Sequence, residues 1–154
     1  MAFKRFSISG NAGAASATAA TAGIMKLEGT AATRAALYEW DFGSAAGAAP
    51  VDQNYQLRLK RQSTAGTWTS QTPVALDSAD PAAVAIGAIA STAAGTTGSV
   101  LMVIGVNARA GFRWVAIPDS ELIVPATASN GIILEYAAVS GGTDINAATF
   151  LYQE

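Results

Sequence analysis

Asp119 and Glu121 stand two residues apart in the stretch PDSE, and Asp77, Ser78 and Asp80 crowd the stretch LDSAD. These are the places where side-chain oxygens gather closely enough to do chemistry. A carboxylate pair can hydrolyse a glycosidic bond when both groups face one groove at a set separation. Two carboxylates that bracket a turn opening on Pro118 are more usually turn residues. Oxygens at 77, 78 and 80 could approach calcium, but a calcium loop also wants a closing Glu at a fixed spacing, and that residue is missing here.

The chain has no His and no Cys. That removes a Ser-His-Asp triad, a Cys-His pair and any zinc or iron site built on imidazole or thiolate. It also removes a disulfide framework. Carboxylates, Lys, Tyr, Ser and Thr remain for catalysis. The Gly-bearing segments GTAATRAA (29–36) and GTTGSV (95–100) lack the Gly-Lys-Ser/Thr ending of a phosphate loop. We therefore expect no enzyme activity, no cofactor and no metal.

Cations cluster once, in RLKRQ (58–62). Arg58, Lys60 and Arg61 read either as a solvated strand face pairing across a sheet with Glu39 and Asp41, or as a contact for an acidic partner. A second candidate contact is Arg113 in GFRWVAIPDSELIVP (111–125). Alternation there sets Phe112 and Trp114 inward and Arg113, Val115 and Ile117 outward. An outward face of Arg, Val and Ile is more apolar than a solvated face needs to be. The expected partner-binding residues are Arg113, Asp119, Arg58, Lys60 and Arg61.

These residues need a scaffold, and the composition describes one. The 154 residues suit a single domain with its own core. Only 13% of residues are charged and 51% are hydrophobic, many of them Ala; an ordinary domain is roughly 25% charged. Its skin must be neutral and polar, or partly covered by partners. The net charge of −2 offers no basic field for nucleic acid. VLMVIGV (100–106) is too short to span a bilayer, and MAFKRFSISG lacks the apolar core of a secretion signal, so the expectation is a soluble chain without one.

Period-two patterns dominate. NYQLRLKR (54–61) puts Tyr55, Leu57 and Leu59 on one face and Gln56, Arg58 and Lys60 on the other. RAALYEWDF (34–42) groups Tyr38, Trp40 and Phe42 against Glu39 and Asp41. Weaker runs lie at 3–9, 23–29, 66–76, 112–117, 121–125, 131–139 and 148–154, and SVLMVIGV (99–106) is apolar on both faces, which predicts a central strand. Turn-formers separate the runs. Eight to ten short strands predict an all-β, single-domain antiparallel sandwich spanning 1–154. Two stretches fit less well. The low-complexity segment 10–23 reads as an arm or long loop. Asp80-Pro81 opens an Ala-rich run (77–91) that reads as a short helix or a covering loop.

The tail, from the apolar strand at 99 through FRWVAIPDSELIVPATASNGIIL to the final FLYQE, resembles the small structural proteins of tailed-bacteriophage virions. The opening FSISGNAGAASATAATAGIMKLEGTAATRAALYEWDFGS resembles them too. Among these the chain is most similar to head decoration (cement) proteins with a jelly-roll-like β-sandwich. The resemblance implies a non-enzymatic protein, made in the host cytoplasm and seated on the outer capsid surface. It implies binding to the major capsid protein, and a homo-oligomer, a trimer ahead of a dimer. Many modest contacts made together would hold it there, and the 10–23 arm could order against a neighbour on assembly. Two other readings stand beside it. One is a carbohydrate- or receptor-binding module of a phage tail or fibre, with Trp40, Trp68 and Trp114 stacking on sugars. The other is a carboxylate glycosidase working through Asp119 and Glu121.

Overall fold

The computed structural model describes residues 3–12, 23–45, 52, 54–139 and 146–154. Among the described residues twelve strands follow one another: β1 (Arg5–Ala12), β2 (Gly23–Glu28), β3 (Ala35–Ser44), β4 (Asn54–Gln62), β5 (Thr67–Ser70), β6 (Val74–Ala75), β7 (Ile86–Ala93), β8 (Thr97–Asn107), β9 (Phe112–Val115), β10 (Leu122–Val124), β11 (Gly131–Val139) and β12 (Asn146–Gln153). All pairings are antiparallel. One sheet runs β10-β3-β12-β1-β6, with β9 also on β3, and the other runs β5-β7-β2-β11-β4-β8.

The pairings are nested. β1 pairs with β12, β2 with β11, β3 with β9 and β10, and β4 with β8. First meets last, second meets second-last, and so inward. That is one long hairpin rolled into two layers, the jelly-roll arrangement. β5, β6 and β7 lie within the β4–β8 connection; the short β5 and β6 each end a sheet, and β7 joins β5 to β2.

Alternation explains the layers. In β12, Asn146, Ala148, Phe150 and Tyr152 are buried and the residues between them are half-buried. Phe6 sits directly opposite Tyr152 in the β1–β12 register, and their rings stack at 5.5 Å. Trp40, Phe42, Tyr55, Leu57, Leu134 and Tyr136 meet them from both sheets in one core. Burying each large side chain contributes about 1.5–3 kcal/mol, so residues of this kind hold the two layers face to face.

Four expectations change. Ile86–Ala93, read as helix or loop, is strand β7 beside β2. Its small residues let it lie close: a Cβ on Gly87 would meet Ile8 at 2.9 Å and the Gln71 carbonyl at 2.6 Å. Ala propensity yielded to that packing. SVLMVIGV is not central: β8 edges its sheet, with Val100 and Val103 exposed. Tyr38 does not share the face of Trp40. The β3–β12 register shifts between Leu151 and Tyr152, pairing Glu39 and then Leu37, so Tyr38 is the extra residue of a bulge, half-buried near Arg5. The run 66–76 divides into β5 and β6, which join different sheets. The 10–23 segment gives Gly10 to Ala12 to β1 and Gly23 to β2; residues 13–22 lie outside the described residues.

Candidate partner-binding edge

The stretch 111–125 is a single edge strand, broken once. β9 and β10 both run antiparallel to β3, one after the other. Val115 faces Glu39, Leu122 faces Leu37, and residues 116–121 therefore lie opposite Tyr38 alone. Ala116 prolongs the β9 pairing by donating its N–H to the Tyr38 carbonyl at 2.8 Å. The chain then loops out. Ser120 N–H donates to the Ile117 carbonyl at 2.9 Å, closing a four-residue turn. Pro118 occupies its second position and Asp119, at φ +68°, its third. Pro followed by a left-handed residue is the pattern of a type II turn.

This geometry sets the exposure. Phe112 and Trp114 face inward, opposite Phe42 and Trp40, and pack against the core. The Trp40 and Phe112 rings lie 4.9 Å apart. Arg113, Val115 and Ile117 face out as the alternation predicts; Val115 is 52% exposed and Ile117 76%. Arg113 Nε donates to Glu39 Oε1 at 2.6 Å, and that bond holds its guanidinium above the ordinary range. Asp41, opposite Arg113 in register, has its carboxyl pushed up chiefly by burial, against the lowering effect of a hydrogen bond from Thr149.

Asp119 and Glu121 line an open cleft of about 460 Å³ at one end of the sandwich with Phe3, Arg34 and Glu154. Glu154 is engaged there, accepting from the Val84 and Ala85 N–H groups. Asp77 likewise has a turn role, its Oδ1 accepting the Ala79 N–H at 2.9 Å. Among the described residues no three His, Cys, Asp or Glu side chains gather as a metal site.

The basic cluster is divided by its own strand. Arg58 and Lys60 lie on the outer face of the second sheet, 3.0 Å and 3.3 Å from Glu135 of β11. Their expected partners Glu39 and Asp41 belong to the other sheet, so that pairing is corrected: strand order, which alternation does not encode, set Glu135 beside them. Arg61, one residue off in phase, turns to the inner side and donates to the Ile123 carbonyl of β10, tying the layers together at their rim. The five residues named from sequence therefore form no single site. Arg113 and Asp119 share the broken edge; Arg58, Lys60 and Arg61 serve the scaffold's own contacts.

Sequence reasoning missed Glu135, and it assigned Glu39 to the 58–62 cluster rather than to Arg113. It also missed Phe3, 68% exposed at the cleft. Phe3 is out of phase with the buried Phe6 and Ile8, so alternation alone sets it outward with Arg5. No protein-family model, no curated protein and no solved structure matches this chain.

Proposed function

We propose that this protein is a non-enzymatic virion component that decorates and stabilises a tailed-phage capsid by binding the major capsid protein as a homo-oligomer. The observation that carries this reading is the outward row Arg113, Val115 and Ile117 on a broken edge strand. Two large aliphatic side chains and a cation stand on a rigid two-layer frame, beside a turn that projects Asp119. Interface cores favour such apolar residues with Arg among them. The jelly-roll nesting agrees with the resemblance seen in the sequence.

The sugar-binding reading draws less support. It needs open aromatic faces, whereas Trp40 is wholly buried and Trp68 and Trp114 are half-buried against the sandwich.

The test is co-sedimentation of the purified protein with expanded heads of the phage that encodes it. Wild type should travel with the heads. Ile117→Asp and Arg113→Ala should fold as wild type and stay in the supernatant. A wild-type protein indifferent to heads would overturn the proposal, and binding to a glycan array would favour the tail-module reading.

A further inference from the structure

We propose that two copies of this chain pair edge to edge through β8, continuing the sheet β5-β7-β2-β11-β4-β8 across a two-fold axis. The inference deepens the homo-oligomer part of the proposed function by naming the surface through which copies meet.

It starts from how the fold treats its sheet edges. An unpaired edge is a template for another strand, and stable proteins keep such edges short, bulged or charged. Among the described residues three of the four edges follow that rule. β6 has two residues, β5 has four with register shifts on both sides of Trp68, and the β9–β10 edge is interrupted by the Pro118 turn. The fourth edge breaks it. β8 runs for 11 residues and, among the described residues, pairs only with β4. Its register shifts fall towards Thr97, and from Met102 to Asn107 its pairing with β4 is continuous.

No Asp, Glu, Lys or Arg occurs between Asp80 and Arg109, so β8 itself carries no charge; its nearest cations are Arg58 and Lys60 of β4, opposite Val103 and Val100, with Lys60 Nζ donating to Thr97 Oγ1 at 2.8 Å. Val100 is 46% exposed and Val103 53%. A partner strand carrying charge would set it against this apolar row. A second β8 presents the same neutral Val, Leu, Met and Ile side chains, and an antiparallel strand pair is self-complementary about a two-fold axis.

The available area is sufficient. Arg61 of β4 reaches Ile123, and Gly98 of β8 shares a cleft with Ile123 and Pro125, so the β8 and β10 edges form one two-layer flank. Eleven residues at about 3.3 Å each, along a flank about 20 Å deep (two layers of about 10 Å each), give up to about 700 Å² per copy. Twice that falls within the size class of stable interfaces. The pairing closes at two copies, selecting the dimer over the trimer.

The test is the solution mass of the free chain, by light scattering and sedimentation velocity over a concentration series. Wild type should run at twice the 15.6 kDa chain mass. Gly105→Lys sets a charge mid-strand at a site where an added Cβ meets nothing within 4 Å. It should halve the mass with an unchanged circular dichroism spectrum, and Val103→Lys should do the same. Val74→Lys, on the edge strand β6, should leave the dimer intact. A monomeric or trimeric wild type, or a Gly105→Lys protein still dimeric at equal concentration, overturns the pairing. Heads play no part in this test. A monomer that still binds heads refutes only the β8 pairing, and a dimer that ignores heads refutes only the decoration role.

Discussion

Glu135 and Arg58 face each other in the β11–β4 register with their charges 3.0 Å apart, and the same Glu135 oxygen lies 3.3 Å from Lys60. The carboxylate is 1% exposed while both cations keep some contact with water. Removing the anion leaves two neighbouring cations to repel. Loss of one partner of a buried pair costs roughly 3–5 kcal/mol, and the access of Arg58 and Lys60 to solvent lowers that. Glu135→Ala should destabilise the fold by about 1–3 kcal/mol in urea unfolding. A change under about 0.5 kcal/mol would mean the pair is no more than an ordinary surface contact.

Gly23 is the seat of Trp68. A Cβ at 23 would stand 2.1 Å from the ring's Cη2 and 2.7 Å from Ser91 Oγ, which accepts the Gly23 N–H at the same distance. The ring also lies over Lys26, whose Nζ is 5.6 Å from its centroid and 2.6 Å from Glu28 Oε2. Gly23→Ala must push the indole outward. It should cost about 1–3 kcal/mol and shift tryptophan emission to longer wavelength. An unshifted spectrum would show that the ring has room to yield.

Asp41 gives a pH signature. Its folded-state carboxyl is raised, mainly by burial. Between the ordinary carboxylate value and the raised one, the folded chain holds more protons than the unfolded chain. Stability from this group therefore falls as pH rises through that window, and the deficit persists at neutral pH. Asp41→Asn keeps an acceptor for Thr149 and removes the charge. It should raise the melting temperature at pH 7, and the gain should vanish below the ordinary carboxylate range. Because Asp41 is half-exposed, the gain should stay below about 1 kcal/mol. An Asn variant less stable at pH 7 would contradict this.

Asp119 tests whether the PDSE carboxylate serves the turn or a reaction. At φ +68° it occupies a conformation that Asp tolerates and β-branched residues resist. Asp119→Gly should be close to neutral for folding, and Asp119→Val should cost about 1–2 kcal/mol. A glycan-hydrolysing activity lost in both variants alike would instead point to the carboxylate itself.

Much of this architecture was legible in the chain. Tyr55, Leu57 and Leu59 against Gln56, Arg58 and Lys60 mark a half-buried antiparallel strand, and that is how β4 lies. The outward row Arg113, Val115 and Ile117 also follows from a period of two, because successive side chains on a strand must point to opposite faces. The absence of His and Cys limits the chemistry available in any fold. What only the tertiary structure decided is which strand lies beside which. Alternation names a residue's face and says nothing about its cross-strand neighbour. Glu135 rather than Glu39 therefore meets Arg58, and β8, apolar on both faces, stands at an edge. The same limit hid β7, whose Ala and Gly content follows helix propensity until a neighbouring strand offers close packing. It hid the bulge at Tyr38 as well, because one extra residue reverses the face of everything before it. Local sequence dictates the direction of each side chain; the long-range pairing of one rolled hairpin dictates what that side chain finds there.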